Sequence, residues 1–413
     1  MKRSLILLLS VLLSVSLQAQ YYEWTTDSIP ADSVKMQPTW EEQLQSQLRA
    51  LTLDPMFDTS QLGMMIYDLD ADSILFAHNH RQMMRPASTM KMITAVTALD
   101  LLGSDYQLQT RLCIDGEVEG RTLRGNVYCV GCLDPLFGED DMLAFADSLK
   151  ALGIDTIRGS LYADNTMKNS DRYGAGWCWD DDDDNPRLIP LLYKGKEGFM
   201  DEFMKTLRRC DIVISAFASS GTCPQSARTV CVRQRGINQV LHPMMKNSSN
   251  LCAEALFYHI AMHGAGRPAK ATDGTKQVSS LINRVGLNAA DYSVADGSGL
   301  SLYNYVSPEL EVHFLRYAWH NRQIYDYLYP SLPIAGIDGT LKDRMTSGNA
   351  RGNIHAKTGT VTRVSSLAGY ATATNGHTLC FSIINQGMKS SSTARDFQDR
   401  VCNALVTPLI SST

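Results

Sequence analysis

Ser88-Thr89-Met90-Lys91-Met92-Ile93-Thr94-Ala95-Val96-Thr97-Ala98-Leu99, continued by Leu101 and Leu102, decides how this chain is read. The run is apolar on nearly every side, so a helix over it is buried rather than laid on a surface. Ser88 and Lys91 stand at i and i+3 and share a face. A serine at the start of a buried helix makes sense where a cleft opens above it. Its hydroxyl needs a base to become a nucleophile. A lysine amine has an ordinary pKa of about 10.4; burial and a nearby second cation bring it down. The positive end of the helix acts in the same direction. Lys357 is the candidate second cation.

Two later motifs complete the chemistry. Ser248-Ser249-Asn250 offers a hydroxyl and an amide two residues apart, and Lys357-Thr358-Gly359-Thr360 opens a strand. Each is short enough to arise by chance. Together, in this order, they supply an acyl-transfer site that needs no histidine. Ser248 can relay a proton from Lys91 to a leaving amine, and Asn250 can bind a peptide carbonyl. The other reading of Ser248-Ser249-Asn250 is a plain helix N-cap. Gly359 lets a backbone lie close along the strand edge. The Thr358 and Thr360 hydroxyls and the Lys357 charge suit a terminal carboxylate. The N–H groups of Ser88 and Thr360 are the candidate oxyanion donors.

The rest of the chain bounds the setting. Its 413 residues suggest two or three domains. A 44% hydrophobic and 20% charged balance is that of a globular protein with an ample core. The net charge of −5 and the lack of any basic block argue against nucleic acid as a partner. Lys2, Arg3 and the apolar run Leu5 to Leu17, followed by Ala19, read as a signal peptide over residues 1–19. That run is too short to span a bilayer, no cysteine near Ala19 offers a lipid anchor, and no later segment suits a membrane span. The expectation is a secreted, periplasmic protein with no transmembrane segment. Ten cysteines follow. Cys129 and Cys132 read as part of one strand, where i and i+3 face opposite ways, so structural or free thiols are expected rather than a metal or redox pair.

Local patterns give the organisation. Thr39-Trp40-Glu41-Glu42 is a capping box. Residues 62–77 read as a hairpin turning at Asp70-Ala71-Asp72. From 109 to 227 short strand-like runs (109–114, 122–130, 157–163), a helix over 141–152 and five aspartates at 180–184 read as an inserted α+β domain. It divides one domain into residues 20–108 and 228–413. Asn238 to His263 reads as helix broken at Pro243. Residues 364–374 and 377–386 form strands around Asn375-Gly376, and a last helix carries Phe397, Val401 and Leu405. His259 and His263 share a helix face but lack the glutamate of a metalloprotease motif, so both read as structural. The aspartate run reads as a solvated loop.

This set of motifs resembles the low-molecular-mass class C penicillin-binding proteins, the D-alanyl-D-alanine carboxypeptidase/endopeptidases. Arg85-Pro-Ala-Ser-Thr-Met-Lys91, Lys246-Asn-Ser-Ser-Asn-Leu251, Asp296-Gly-Ser-Gly-Leu-Ser301, Ala335-Gly-Ile-Asp-Gly-Thr-Leu341, His355-Ala-Lys-Thr-Gly-Thr360 and Gly176-Trp-Cys-Trp-Asp180 are all similar to its signatures. The 160 residues between Ser88 and Ser248 leave room for the extra domains this family places there. The resemblance implies an α+β penicillin-recognising (β-lactamase/transpeptidase-like) serine acyl-transferase fold. That fold has a five-stranded antiparallel sheet flanked by helices, beside a helical subdomain. The resemblance also implies acylation of Ser88 by a D-Ala-D-Ala stem peptide of peptidoglycan, release of D-alanine and hydrolysis, with Lys91 and Ser248 catalytic. Asn250, Lys357, Thr358, Gly359 and Thr360 would bind substrate. Asp134, in Gly131-Cys-Leu-Asp-Pro135, would face the substrate side chain. β-Lactams would be covalent inhibitors, and neither cofactor nor metal is called for. Two positions depart from the family pattern: Ser249 replaces the usual aspartate and Leu302 the usual arginine. A β-lactamase is the first competing reading, and no Glu-x-x-Leu-Asn type segment supports it. A catalytically inactive wall-binding protein on the same fold is the second. The oligomeric state is not legible.

Overall fold

In a computed structural model of the chain, residues 38–178, 185–215 and 217–407 are described. The stretch read as a signal peptide, the lead-in up to residue 37 and the five aspartates lie outside them. The chain divides at Thr39, and every described helix and strand belongs to the unit beginning at Trp40.

The first helix, α1 (Trp40–Leu51), buries Leu44 and Leu48. The expected hairpin comes after it as β1 (Gln61–Asp68) and β2 (Ser73–His78). A 3-10 turn, Ala87–Thr89, opens α2 (Met90–Leu102), which ends at Gly103 with φ of 82°. Ten successive residues of α2, from Met90 to Leu99, are buried, as an all-round apolar pattern requires.

A second sheet comes next. It is built from β3 (Gln107–Glu119), β4 (Thr122–Val130), the helix α3 (Glu139–Ala151), β5 (Thr156–Ile157) and β6 (Leu161–Asp164). It is completed by α4 (Phe199–Arg209), β7 (Val213–Ile214), β8 (Ala218–Ser220) and β9 (Arg228–Gly236). β9 pairs antiparallel with β3 from Gln107↔Gly236 to Ile114↔Arg228, so the sheet reaches past residue 227. The run 157–163 is two strands rather than one. Gly159 lies between them, where an added Cβ would sit 1.9 Å from the Gly125 carbonyl oxygen. Phe137, Phe145, Phe199, Phe203, Leu112 and Val127 make this sheet's own core.

The chain returns through α5 (Ile237–Lys246), α6 (Asn250–Ala265), α7 (Ala271–Arg284), α8 (Pro308–His320) and α9 (Arg322–Ser331). It then forms β10 (His355–Val361), β11 (Val364–Thr372), β12 (Thr378–Gln386) and α10 (Ser391–Val406). The first sheet has the order β10-β11-β12-β1-β2 and is antiparallel throughout. Both of its faces are covered, so β1 reads as a continuous apolar run. Leu62, Met64 and Ile66 pack with Leu44, Phe397 and Val401 of α1 and α10. Met65 and Tyr67 face the opposite cluster, which holds α2, α6 and α8. Each buried Leu, Ile or Phe side chain there contributes about 1.5–3 kcal/mol.

Two further expectations are corrected. The helix does not break at Pro243, which lies inside α5. Val240, Leu241, Met244 and Met245 are buried around it, and their packing outweighs the about 3 kcal/mol that an interior proline costs. The break falls instead at Ser248, whose φ of 59° is left-handed. Cys132 is not on the strand with Cys129, because β4 stops at Val130. The two thiols sit in different cores, Cys129 in that of the second sheet and Cys132 in that of α2.

Candidate active site

Ser88 lies at the middle of the 3-10 turn ahead of α2, half-buried. The turn is pinned to the first sheet. Thr89 Oγ1 donates to the Pro86 carbonyl at 2.8 Å and to Ser366 Oγ at 3.2 Å, and Ser366 Oγ donates to the same carbonyl at 2.5 Å. Ser366 belongs to β11, beside edge strand β10. Gly359 of β10 fits against this turn only because it lacks a side chain. A Cβ there would lie 2.1 Å from Ser366 Oγ, 2.8 Å from the Pro86 oxygen and 2.9 Å from the Ser88 nitrogen.

Lys91, in the first turn of α2, is fully buried. Its Nζ sits 2.8 Å from Ser88 Oγ, 2.7 Å from Asn250 Oδ1 and 2.7 Å from the Ser298 carbonyl oxygen. Burial brings its pKa down to about 7, against the opposing pull of Asp296 and Glu254. The Ser298 carbonyl is held in turn. Glu254 Oε1 accepts from the Gly297 and Ser298 N–H groups at 3.1 and 2.8 Å. Asp296 accepts from Gly299 N, Ser301 N, Asn304 Nδ2 and, across from the inserted segment, Trp177 Nε1, all at 2.7–2.8 Å. Burial, with Asp296 beside it, pushes the Glu254 carboxyl up to about 8.

Ser248 lines the same cavity as Ser88, and Lys357 Nζ donates to its Oγ at 2.8 Å and to the Thr358 carbonyl at 2.7 Å. Lys357 is fully buried, and burial together with the Lys91 charge pushes its pKa well down. The loop carrying Ser248 is anchored from below by Lys246. Its Nζ donates to both Asp338 oxygens at 2.7 and 2.6 Å and to the Leu332 carbonyl at 2.6 Å. Ser249 is indeed an N-cap. It opens α6, and its Oγ accepts from Cys252 N at 3.4 Å. The capping reading is met by Ser249, while Ser248 and Asn250 on either side of it bond the two buried lysines.

Two cavities meet at Ser248. One, of about 1100 Å³, is lined by Ser248, Asn250, Tyr173, Trp177, Arg187 and Lys196, so the inserted segment forms much of its wall. The other, of about 270 Å³, is lined by Ser88, Ser248, Thr340, Thr358 and Thr360 together with two arginines, Arg344 and Arg395. Thr358 Oγ1 donates to Thr340 Oγ1 at 2.7 Å.

The structure thus gathers Ser88, Lys91, Ser248, Asn250, Lys357, Thr358, Gly359 and Thr360 around one cleft. Asp134 is not with them. Its carboxylate, 2% exposed, accepts from Leu136 N at 2.9 Å and pairs with Arg235 at 3.4 Å, and it lines neither cavity. Burial pushes its pKa up. Sequence reading assigned no role to Ser298, Glu254, Asp296, Trp177, Thr340 or Arg395. The turn-rich Asp296-Gly-Ser-Gly stretch was visible, but nothing local says which lysine it meets. His259 is structural as expected: Nε2 bonds the Cys132 carbonyl at 2.7 Å and Nδ1 the Tyr106 hydroxyl at 2.8 Å. Among the described residues, no cluster of histidine, cysteine and carboxylate side chains could hold a metal, and no helix is long and apolar enough to cross a membrane.

A serine served by a buried lysine, at the edge of a five-stranded antiparallel sheet, is the arrangement of the penicillin-recognising serine acyl-transferases. The chain belongs to the D-Ala-D-Ala carboxypeptidase 3 (S13) family, whose profile matches residues 44–186 and 192–406. The D-alanyl-D-alanine carboxypeptidase DacB of Haemophilus influenzae is 26% identical over 405 residues, 78% of this chain and 84% of its own. A D-alanyl-D-alanine carboxypeptidase of an Actinomadura species is 26% identical over 441 residues, 84% of this chain and 81% of its own. Penicillin binding protein 4 (dacB) of Haemophilus influenzae matches with a TM-score of 0.78 at 22% identity, over 89% of this chain and 98% of that one. A predatory peptidoglycan endopeptidase of Bdellovibrio bacteriovorus matches with a TM-score of 0.58 at 17% identity, over 86% and 95%. At such identities the two structures speak for the fold.

Proposed function

We propose that this chain is a serine D-Ala-D-Ala carboxypeptidase, and also an endopeptidase that cuts cross-links, acting on peptidoglycan stem peptides through an acyl-enzyme on Ser88. The observation that carries the reading is the 2.8 Å contact between Ser88 Oγ and Lys91 Nζ in a fully buried setting. With its pKa brought to about 7, Lys91 is substantially neutral at physiological pH and can accept the Ser88 proton. Ser88 Oγ then attacks the carbonyl of the penultimate D-alanine.

The developing oxyanion falls between the N–H groups of Ser88 and Thr360. The strand register supports the second donor. Ala356 N, four residues back on β10 and of the same parity, donates outward to the Pro333 carbonyl at 3.0 Å, so the Thr360 N–H also leaves the open edge of the sheet. The proton that Lys91 took from Ser88 passes through the Ser248 hydroxyl, which Lys357 Nζ holds at 2.8 Å, to the departing amine, so Ser248 ends as it began. Water then attacks the acyl carbon in the amine's place and gives a proton to the again neutral Lys91. Lys91 returns that proton to the Ser88 oxygen as the ester bond breaks and the shortened peptide is released. Asn250, with Oδ1 spent on Lys91, turns its Nδ2 to the backbone of the acyl segment in the larger cavity. The smaller cavity receives the departing residue, with Thr358 and Thr360 at its carboxylate. β-Lactams would acylate the same Ser88 oxygen.

We read residues 1–19 as a signal peptide and the working protein as periplasmic. We read residues 109–227 as an inserted domain, a reading supported by the pairing of β3 with β9 at its two ends. Mass spectrometry of muropeptides after incubation with purified residues 20–413 tests the proposal. Loss of one alanine from a pentapeptide monomer and splitting of a cross-linked dimer are expected, and Ser88→Ala should abolish both. Full activity in Ser88→Ala would overturn the assignment of the nucleophile.

A further inference from the structure

The smaller cavity has to take a departing amino acid that carries a carboxylate, an inference that rests on the function proposed above. That carboxylate needs a counter-charge, and the buried cations nearby are already committed. Lys357 Nζ lies between Ser248 Oγ and the Thr358 carbonyl with no exposed surface. Arg344 lines the same cavity, but its charge is neutralised by Asp399, bonded at 2.6 Å through one terminal nitrogen and at 3.0 Å through Nε. Thr358 Oγ1 gives its proton to Thr340.

Arg395 differs from all of these. It lines the same cavity as Ser88, Thr358 and Thr360, yet its side chain is exposed. Among the described residues its guanidinium has one side-chain partner, Ser391 Oγ, one turn back on α10 at a long 3.4 Å. Its backbone is firmly placed. Ala394, Phe397 and Gln398 on either side are buried, and Gln398 Nε2 donates to Asn385 Oδ1 at 3.0 Å and Ser365 Oγ at 3.2 Å in the sheet. A fixed helix thus holds a free planar fork of donors over the cavity mouth, a geometry suited to bidentate binding of a carboxylate.

We infer that Arg395 is a specificity-determining residue that binds the α-carboxylate of the departing D-amino acid and so selects substrates whose leaving residue bears a free acid. Thr358 and Thr360 contribute hydroxyls to the same group; Arg395 contributes the charge. Its role is selection of the substrate, not chemistry on the scissile bond, so Ser88 remains reactive without it.

The test is a pair of substrates, an N-acylated peptide ending in D-Ala-D-Ala and the same peptide as its C-terminal primary amide. Release of D-alanine or its amide is followed by mass spectrometry for the wild-type chain and for Arg395→Ala and Arg395→Lys. The wild type should favour the free acid. Arg395→Ala should lose about tenfold in kcat/KM on the acid, chiefly through KM, and little on the amide. Arg395→Lys should fall between, because it keeps the charge and loses the fork. An acid preference that survives Arg395→Ala intact overturns this inference alone, as does an equal loss on both substrates in a variant that unfolds at the wild-type temperature. A wild-type chain that releases neither product overturns the proposed function, and this inference with it.

Discussion

Lys91 Nζ lies 2.8 Å from Ser88 Oγ and 2.7 Å from the carbonyl oxygen of Ser298, 207 residues further along the chain. Lys91, the proposed base, is therefore held from both sides, by its own helix and by a loop that Glu254 and Asp296 fasten. The arrangement sets a pH dependence. Lys91 must be neutral to accept a proton, and burial places its pKa at about 7. The acid limb of kcat/KM should therefore be half-maximal near neutrality and fall about tenfold per pH unit below it. Lys91→Arg cannot deprotonate and should lose about 10²–10⁴-fold in kcat. A rate that stays flat down to pH 5 would mean Lys91 is not the base.

Gly359→Ala should separate geometry from folding. The new Cβ would meet Ser366 Oγ, the Pro86 oxygen and the Ser88 nitrogen within 2.1–2.9 Å. Relief comes from moving the edge strand off the nucleophile turn, since the turn is bonded to β11. We expect a loss of about 10²-fold in kcat/KM, because a shift of 1 Å is costly at a reacting centre. The loss of stability should be no more than about 3 kcal/mol. Steady-state kinetics beside a denaturant titration would check both, and wild-type kinetics would show that β10 tolerates a methyl group there.

Asp296→Ala should do the reverse and harm the fold first. It would leave four donors, Trp177 Nε1, Asn304 Nδ2 and the Gly299 and Ser301 N–H groups, without a buried acceptor. Breaking such a network costs about 3–5 kcal/mol. kcat should fall as well, because the Ser298 carbonyl loses its footing against Lys91. A denaturation midpoint unchanged from wild type would show that the loop is held by other contacts.

Much of this was legible because it is local. Ser88 and Lys91 announce themselves by helical spacing, the hairpin at residues 62–77 by its turn, and α10 by Phe397, Val401 and Leu405 on one face. What was not legible depends on distant partners. Nothing near Asp296 says that Trp177 will bond it, and nothing near Arg395 says that its helix will stand over Ser88. Asp134 looked available in Leu-Asp-Pro and is instead consumed by Arg235, a residue 101 positions away. Pro243 was read by its usual effect on an isolated helix, which the packing of its neighbours overrides. Cys132 was given to a strand two residues longer than the one that forms.

Ser249→Asp tests whether the one-residue departure inside the second motif matters for turnover. The usual aspartate and the serine found here have the same task on geometric grounds. Ser249 is the N-cap of α6, and its oxygen accepts from Cys252 N. Aspartate caps as well as serine, and its charge suits a helix N-terminus by about 0.3–1 kcal/mol. Neither Lys91 nor Lys357 bonds Ser249; they reach Asn250 and Ser248 on either side of it. We therefore expect Ser249→Asp to raise stability by up to about 1 kcal/mol and to leave kcat within about threefold. Thermal unfolding and D-alanine release measured together would decide it. A kcat change beyond about tenfold (1.4 kcal/mol), in either direction, would show that position 249 acts on the chemistry and not only on the helix it starts.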